Sequence, residues 1–166
     1  MSVARAGVEV HDLVLSPLPA NPFCWTVISV ETEGADYRLR KGIAASVPSW
    51  FPPEKCPRLR TADETTMPRT PSSLASEPGI LWTGEWTQKW ATIEELDHHH
   101  CGFSAFARFA RAPFVVNVGN QWVVGDARYD TDEDLGFAEF VVPAREPAAE
   151  SCPRFVPPWK GRLFTE

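Results

Sequence analysis

Runs of β-branched residues and alternating apolar positions predict antiparallel strands in the first half of the chain. Residues 13–16 predict a short strand, and the run CWTVISVE at 24–31 predicts a second one. Proline has no N–H and fixes its own φ. We therefore expect Pro17, Pro19 and Pro22 to form an irregular, extended connection between the two strands.

A hairpin is predicted directly after the second strand. The sequence EGAD at 33–36 has the composition of a turn, and YRLRKGIA at 37–44 follows it as the partner strand. In that strand Leu39 alternates with Arg38 and Arg40. The alternation predicts one buried face and one face in contact with water.

The second half of the chain adds a helical region. ILWTGEW at 80–86 predicts a strand, and Thr92 and Glu95 have the spacing of a capping box, which predicts that a helix begins there. Phenylalanines at positions 103, 106 and 109 form one apolar stripe at helical spacing, and Pro113 ends the helix.

Two further strands and a last one are predicted after the helix. FVVNV and QWVV are joined by Gly119 and Asn120, residue types that tolerate the positive φ of a two-residue hairpin turn. FAEFVV at 137–142 predicts the last strand. We expect the large aromatic side chains of these elements to share one core: Trp25, Trp82, Phe106, Phe109, Trp122 and Phe140.

Two proline-rich segments interrupt this pattern. Residues 46–79 hold seven prolines in 34 residues, which predicts a long, partly mobile loop whose aromatic pair Trp50–Phe51 docks back on the body. Residues 144–166 predict an extended tail that packs through Phe155 and Trp159.

The predicted fold class is therefore α+β. It consists of a mostly antiparallel sheet with one principal helical region, a long Pro/Ser/Thr-rich loop and an extended Pro-rich C-terminal tail. Residues 10–143 are predicted to form a single domain, which a chain of 166 residues is long enough to supply with a core. Residues 1–9 are interpreted as a helix remnant or linker, and 144–166 as the tail.

Charge and hydropathy exclude two classes of partner. The net charge is −6, and the segment 126–150 alone holds eight acidic residues, whereas nucleic-acid binding requires a basic face. The most apolar window, 103–118, contains Arg108, Arg111 and Pro113, so no segment predicts a bilayer-spanning helix. We expect a chain that is soluble as given, with no nucleic-acid partner and no direct insertion into a membrane.

Four cysteines leave the redox state open. Cys24, Cys56, Cys101 and Cys152 are widely spaced and form no CxxC pair. Two disulfides in an oxidising compartment and four reduced thiols in a reducing one are both compatible with this spacing.

The most conspicuous group of metal-ligating residue types is LDHHHC at 96–101. On a helix, Asp97, His98 and Cys101 have spacings that allow two of them to face one ion. Structural zinc takes four protein ligands, and His11 is the only histidine elsewhere in the chain. The three residues are therefore candidate ligands for zinc or another divalent metal, but we expect no stoichiometric metal and no cofactor in this chain.

GDARYD at 125–130 is a second candidate site. If it is a strand, Asp126 and Arg128 share one face, where they form an ion pair or grip a polar ligand. The chain contains neither a GxSxG nucleophile motif nor a glycine-rich phosphate loop. No catalytic residue is therefore assigned from the sequence.

Three segments resemble a known family: VLSPLPANPFCWTVISVE, FARFARAPF and VVGDARYD…LGFAEFVVP. They are similar to the soluble C-terminal region of the YdjM-like family of bacterial metal-dependent hydrolases, described as LexA-binding and inner-membrane-associated. The resemblance covers about residues 10–143, and Ala127 replaces the family's usual leucine. The matching positions are Ser16, Pro17, Pro19, Asn21, Pro22, Trp25, Phe106, Phe109, Asp126, Arg128 and Tyr129.

The resemblance implies an accessory role. The family's metal ligands lie near its N-terminus and between its membrane helices, and they have no counterpart here. The resemblance thus implies an accessory or sensory domain of a membrane-bound hydrolase without its own catalytic centre, whose partner is the membrane-embedded part. On this reading Asn21 caps a turn and Trp25 anchors the core, and both join Asp126 and Arg128 as candidate ligand-binding residues. The alternative is an independent small-molecule or metal-binding module.

Overall fold

The computed structural model describes residues 7–57, 67–68, 70–72, 77–118, 120–130 and 136–143. This part of the chain contains one turn of 3₁₀ helix at Pro53–Lys55 and nine longer elements. They are β1 (Val8–Leu18), β2 (Asn21–Glu33), β3 (Asp36–Ala45), β4 (Ile80–Lys89), α1 (Trp90–His99), α2 (Cys101–Ala107), β5 (Pro113–Val118), β6 (Gln121–Asp126) and β7 (Glu139–Pro143). The prediction of an α+β protein built mostly from antiparallel sheet is confirmed.

The strands form two antiparallel sheets in chain order. The first sheet has the order β1-β2-β3-β4 and the second has the order β5-β6-β7. The predicted turn at 33–36 is confirmed: Glu33 pairs with Asp36, and Gly34 adopts a φ of 60°, which glycine tolerates at no steric cost. The hairpin between β5 and β6 is also confirmed, with Val118 paired to Gln121.

The predicted irregularity at the prolines is present, because the β1–β2 register shifts between Pro17 and Leu18, but the predicted interruption of the strand at Pro17 is wrong. β1 continues through Pro17, which pairs with Trp25, and a tight turn leads into β2 at Asn21. Among the described strands β1 pairs only with β2 and lies at the edge of the sheet, so Pro17 removes no ladder hydrogen bond to a described strand on its outer side. Pro22 lies before Cys24, the first residue of β2 that pairs with β3.

The helical region is divided into two helices. α1 begins at Trp90, directly after β4, and its N-cap is Lys89 without a side-chain cap, so the predicted capping box at Thr92 is wrong. His100 is extended, with φ −126° and ψ 105°, and separates α1 from α2. No helix in the described ranges is long and apolar enough to cross a bilayer.

The main core lies on the side of the first sheet that faces the helices and the second sheet, here called the inner face. The inner-face residues Val14, Ile28, Val30, Tyr37 and Leu39 pack there with Phe103 and Phe106 of α2 and with side chains of the second sheet, including the partly buried Trp122 and Phe140.

The predicted single aromatic core is wrong in two respects. Phe109 follows α2 and is 49% exposed. Trp25 and Trp82 point to the opposite side of the first sheet, here called the outer face, where they pack with Val27, Ala44, Ile80 and Leu13 in a separate cluster.

Candidate functional site

Asp126 and Arg128 form an ion pair at the end of β6. Asp126 is the last residue of the strand, and Arg128 lies in the turn that follows, where Tyr129 N–H donates to the Asp126 carbonyl over 2.9 Å. The expectation that both residues share one strand face is therefore wrong, because a turn brings them together. Arg128 Nη2 donates to Asp126 Oδ2 over 2.6 Å, and Arg128 Nε donates to the same oxygen over 2.9 Å.

A second arginine extends this pair into an alternating row of charges. Arg111 N–H donates to Asp126 Oδ2 over 3.0 Å, and the Arg111 guanidinium donates two hydrogen bonds of 2.9 Å to Asp12. The row connects β1, the segment before β5 and the end of β6. We call Asp12, Arg111, Asp126 and Arg128 the ionic clamp, because its contacts join the two sheets.

Arg128 of the ionic clamp and Tyr37, which senses the charge of Asp126, both have raised pKa values. Hydrogen bonds to Asp126 are the largest cause that raises the pKa of Arg128, and they outweigh the effect of its partial burial. Full burial, and after it the charge of Asp126, raise the pKa of Tyr37 well above its ordinary value, while its hydroxyl donates to the Pro113 carbonyl over 2.9 Å. Such groups stay in one protonation state around neutral pH, whereas general acid–base catalysis needs a pKa near the working pH.

A further row of charges lies on the outer face. Ser29 Oγ donates to Glu31 Oε1 over 2.6 Å, while Arg40 donates to Glu31 over 2.8 Å and to Glu85 over 3.2 Å. Arg40 is 2% exposed and Glu31 is fully buried, so the prediction that this face contacts water is wrong at Arg40. The register of the β2–β3 hairpin is the feature of the sequence that could have predicted this row. A turn at residues 34–35 places Ser29 opposite Arg40.

The candidate metal ligands do not converge. His98 lies on the exposed side of α1, Asp97 is partly buried, and Cys101 is disulfide-bonded and therefore offers no thiolate. In the described part of the chain, no group of three or more His, Cys, Asp or Glu side chains is placed to hold a metal ion.

Asn21 and Trp25 lie apart from the ionic clamp. Asn21 Oδ1 accepts a hydrogen bond from Phe23 N–H over 3.0 Å, so the predicted capping role of Asn21 corresponds to an observed contact. Trp25 packs on the outer face of the first sheet, whereas Asp12 of the clamp lies on the inner face. The four candidate ligand-binding residues therefore do not form one site.

A surface of aromatic residues and prolines that includes a groove lies at the end of the first sheet, around the β1–β2 turn and the loop after β3. We call it the tip surface. It consists of three aromatic residues and four prolines: Phe23, Trp50, Phe51, Pro48, Pro52, Pro53 and Pro78. Trp50 is 82% exposed and Phe23 is 44% exposed. The expectation that both aromatics of the loop dock on the body is wrong for Trp50, while Phe51 packs beside Leu18 and the Cys24–Cys56 pair.

Covalent and backbone bonds hold the tip surface in place. A disulfide joins Cys24 of β2 to Cys56 in the loop after β3. Ser46 N–H donates to the Phe23 carbonyl over 2.9 Å, and Ala45 N–H donates to Gly79 over the same distance. The described part of the loop, residues 46–57, is thus attached to β2, and Ala45 before it is attached to Gly79 at the start of β4.

A groove of about 380 Å³ lies within this surface, lined by Pro48, Ser49, Pro52, Pro53, Glu54, Glu77, Pro78 and Gly79. Two of the chain segments that contribute to the tip, 13–30 and 42–53, contain no charged residue. Glu54 and Glu77 are the charged residues of the groove lining. An apolar groove with two carboxylates suits a small ligand or peptide that carries a cationic or hydrogen-bond-donating group.

Comparison with known proteins gives no relative: no family model, curated protein or solved structure matches this chain.

Proposed function

We propose that this chain is an accessory, sensory domain of a membrane-bound metal-dependent hydrolase, that it has no catalytic centre of its own, and that it binds its ligand at the tip surface. The observation that carries the proposal is the 82% exposure of Trp50 on a loop held by a disulfide. Exposing a large aromatic ring on a fixed loop favours binding, because the ring offers apolar area at little cost in conformational entropy.

The buried ionisable groups support a binding role over catalysis. Asp12, Glu31 and Asp126 each accept hydrogen bonds from an arginine side chain. These hydrogen bonds hold the three carboxylates against arginines of the fold itself, an arrangement that suits a scaffold.

The direction of β1 supports a sensory orientation. β1 runs from Val8 toward the tip over 11 residues, a distance of roughly 35 Å at the rise of a strand. In the family pattern the membrane part precedes this strand. The tip surface would then lie at the end of the domain away from the membrane part, accessible to a ligand in the surrounding compartment.

The disulfides support a position outside the cytoplasm. Cys24 pairs with Cys56, and Cys101 is also disulfide-bonded. Disulfides form and persist in oxidising compartments such as the bacterial periplasm. A position on the periplasmic side of the inner membrane is therefore part of the proposal.

A second candidate is an independent small-molecule-binding module. The groove lined by residues 48–54 and 77–79 without Trp50 favours it, because a concave, mostly apolar site with a few polar groups is the usual form of a small-ligand pocket. The genomic context separates the two candidates. The sensory proposal requires hydrophobic helices upstream in the same reading frame or in an adjacent gene, and their absence would leave only the binding module.

Ligand mapping tests the tip surface itself. We expect a ¹⁵N-labelled chain, titrated with a mixture of small organic cations and proline-containing peptides, to show shifts at residues 48–54 and 77–79 and at the Trp50 indole. Trp50→Ala should abolish these shifts. Phe137→Ala is the matched control, since Phe137 is 78% exposed outside the tip, and it should retain them. Shifts centred on Arg128 instead would contradict the assignment.

A further inference from the structure

The lining of the groove in the tip surface is rich in hydrogen-bond acceptors and poor in donors. Four of its eight residues are prolines, which carry a backbone C=O but no N–H. Two more are Glu54 and Glu77, whose carboxylates only accept hydrogen bonds, and no basic residue is among the eight. An anionic ligand would therefore find few donors in this groove, whereas a cationic ligand with N–H groups is complementary to it.

The two carboxylates of the groove are open to a ligand. Within the described part of the chain, the side chains of Glu54 and Glu77 make no hydrogen bond and no ion pair. The buried carboxylates of Asp12, Glu31 and Asp126, by contrast, are each held by an arginine of the fold. The groove thus presents two negative charges that the fold itself does not compensate.

The backbone around each of these glutamates is held in place. Glu54 lies in the 3₁₀ turn Pro53–Lys55, directly before Cys56 of the disulfide. Glu77 exchanges two backbone hydrogen bonds, of 2.9 and 3.0 Å, with Ile80, which is fully buried at the start of β4. The two charges therefore come from two separate segments of the lining, each anchored to the sheet, and a ligand with two cationic groups can contact both.

We propose that the ligand of this groove is a linear aliphatic diamine or polyamine, a molecule with ammonium groups joined by methylene chains. The inference rests on the proposed binding role of the tip surface. One ammonium group pairs with each carboxylate, and the methylene chain packs on the proline rings. The groove volume of about 380 Å³ lies within the usual range of small-ligand sites, roughly 300–1,000 Å³. The net charge of −6 attracts such cations from solution.

A length series of diamines tests the proposal. The ¹⁵N-labelled full chain is titrated with α,ω-diaminoalkanes from diaminopropane to diaminooctane, and with the alkylamine and the alkanediol of each length as controls. We expect shifts at residues 48–54 and 77–79 and one length that binds most tightly. Its dissociation constant should be about fivefold or more below that of the matched alkylamine, because a second ion pair forms. The alkanediols should not bind.

Charge variants show whether both carboxylates take part. Glu54→Gln and Glu77→Gln should each abolish the advantage of the diamine over the alkylamine, because each variant leaves one carboxylate in the groove. Glu95→Gln is the matched control, since it removes the same charge from an exposed position on α1 that does not line the groove, and it should retain the advantage. Equal losses in all three variants would attribute the binding to net charge and overturn the proposal.

Failure of this inference is distinguishable from failure of the proposed function. Shifts at residues 48–54 and 77–79 with proline-containing peptides but not with diamines would overturn the diamine assignment and leave the tip as a binding surface. Equal affinities for diamine, alkylamine and alkanediol would do the same. The absence of shifts at these residues with every one of the compounds would overturn both.

Discussion

Replacing Arg128 with alanine removes one half of the most buried ion pair in the ionic clamp. Asp126 is 1% exposed, and the Arg128 guanidinium contacts its two carboxylate oxygens over 2.6–3.1 Å. Losing one partner of a buried pair costs about 3–5 kcal/mol, because the remaining charge is left without compensation. Asp126 would keep the N–H groups of Arg111 and of residue 128, so we expect the lower end of this range, about 3 kcal/mol.

The assay is equilibrium unfolding in urea, accompanied by thermal melting. For a chain of this length, 3 kcal/mol corresponds to a drop in melting temperature of about 6–12 °C. Arg38→Ala is the matched control. The side chains of Arg38 and Arg128 are 18% and 19% exposed, but the partner of Arg38, Glu33, is 44% exposed. Arg38→Ala should therefore cost less than about 1 kcal/mol.

Two outcomes would refute this reasoning. Equal losses for the two variants would mean that burial of the carboxylate does not determine the cost. A melting temperature of Arg128→Ala within about 2 °C of the parent would mean that the clamp does not stabilise the fold, and a loss of ligand binding at full stability would make Arg128 a binding residue.

Three further perturbations test other parts of the fold. Cys56→Ala opens a 32-residue disulfide loop and should cost about 4 kcal/mol in chemical unfolding, whereas no loss would place the pair in its reduced form. The pKa of Tyr37 is raised in the folded state, so above about pH 10 the unfolded state releases its proton first and stability falls as pH rises. Tyr37→Phe should remove the part of this loss of stability that comes from the Tyr37 hydroxyl. Urea unfolding of both proteins between pH 9 and about pH 11 measures the difference. Phe106→Ala should cost about 3–5 kcal/mol and Phe109→Ala less than half as much, because only Phe106 is buried.

The strands were predictable because their signals are local. A turn that requires positive φ, as at Gly34, fixes a hairpin register without knowledge of the rest of the fold. The prediction that Phe109 belongs to the buried helical stripe is wrong because no local signal marks the end of the helix. α2 ends at Ala107, and spacing alone does not show where a helix ends when no glycine or proline marks the position.

The prolines show why position in the sheet matters. The missing backbone donor of proline predicts that Pro17 interrupts the strand. The donor is dispensable on an edge strand, and only the sheet order shows that β1 is an edge. Arg40 was misjudged for a related reason. Period-two alternation separates two faces but does not reveal whether a further layer covers the second one.

The candidate sites differ in how much a sequence can reveal of them. Asp126 and Arg128 were identified as partners because residues two apart come together in either a strand or a turn. The tip surface required the fold, since Pro48 and Pro78 are far apart in sequence and line the same groove only because Ala45 is hydrogen-bonded to Gly79 at the start of β4.

The exposure of Trp50 distinguishes a binding role for the tip from a purely structural one. If the loop served only to cover the end of the sheet, both aromatics would be buried, yet Phe51 packs inward and Trp50 points to solvent. A structural role predicts that Trp50→Ala leaves stability and every binding measurement unchanged. A binding role predicts unchanged stability with a loss of ligand-induced shifts. The disulfide provides a further test of the binding role. Under conditions where the domain remains folded, Cys56→Ala should weaken ligand binding, because it releases the loop from β2.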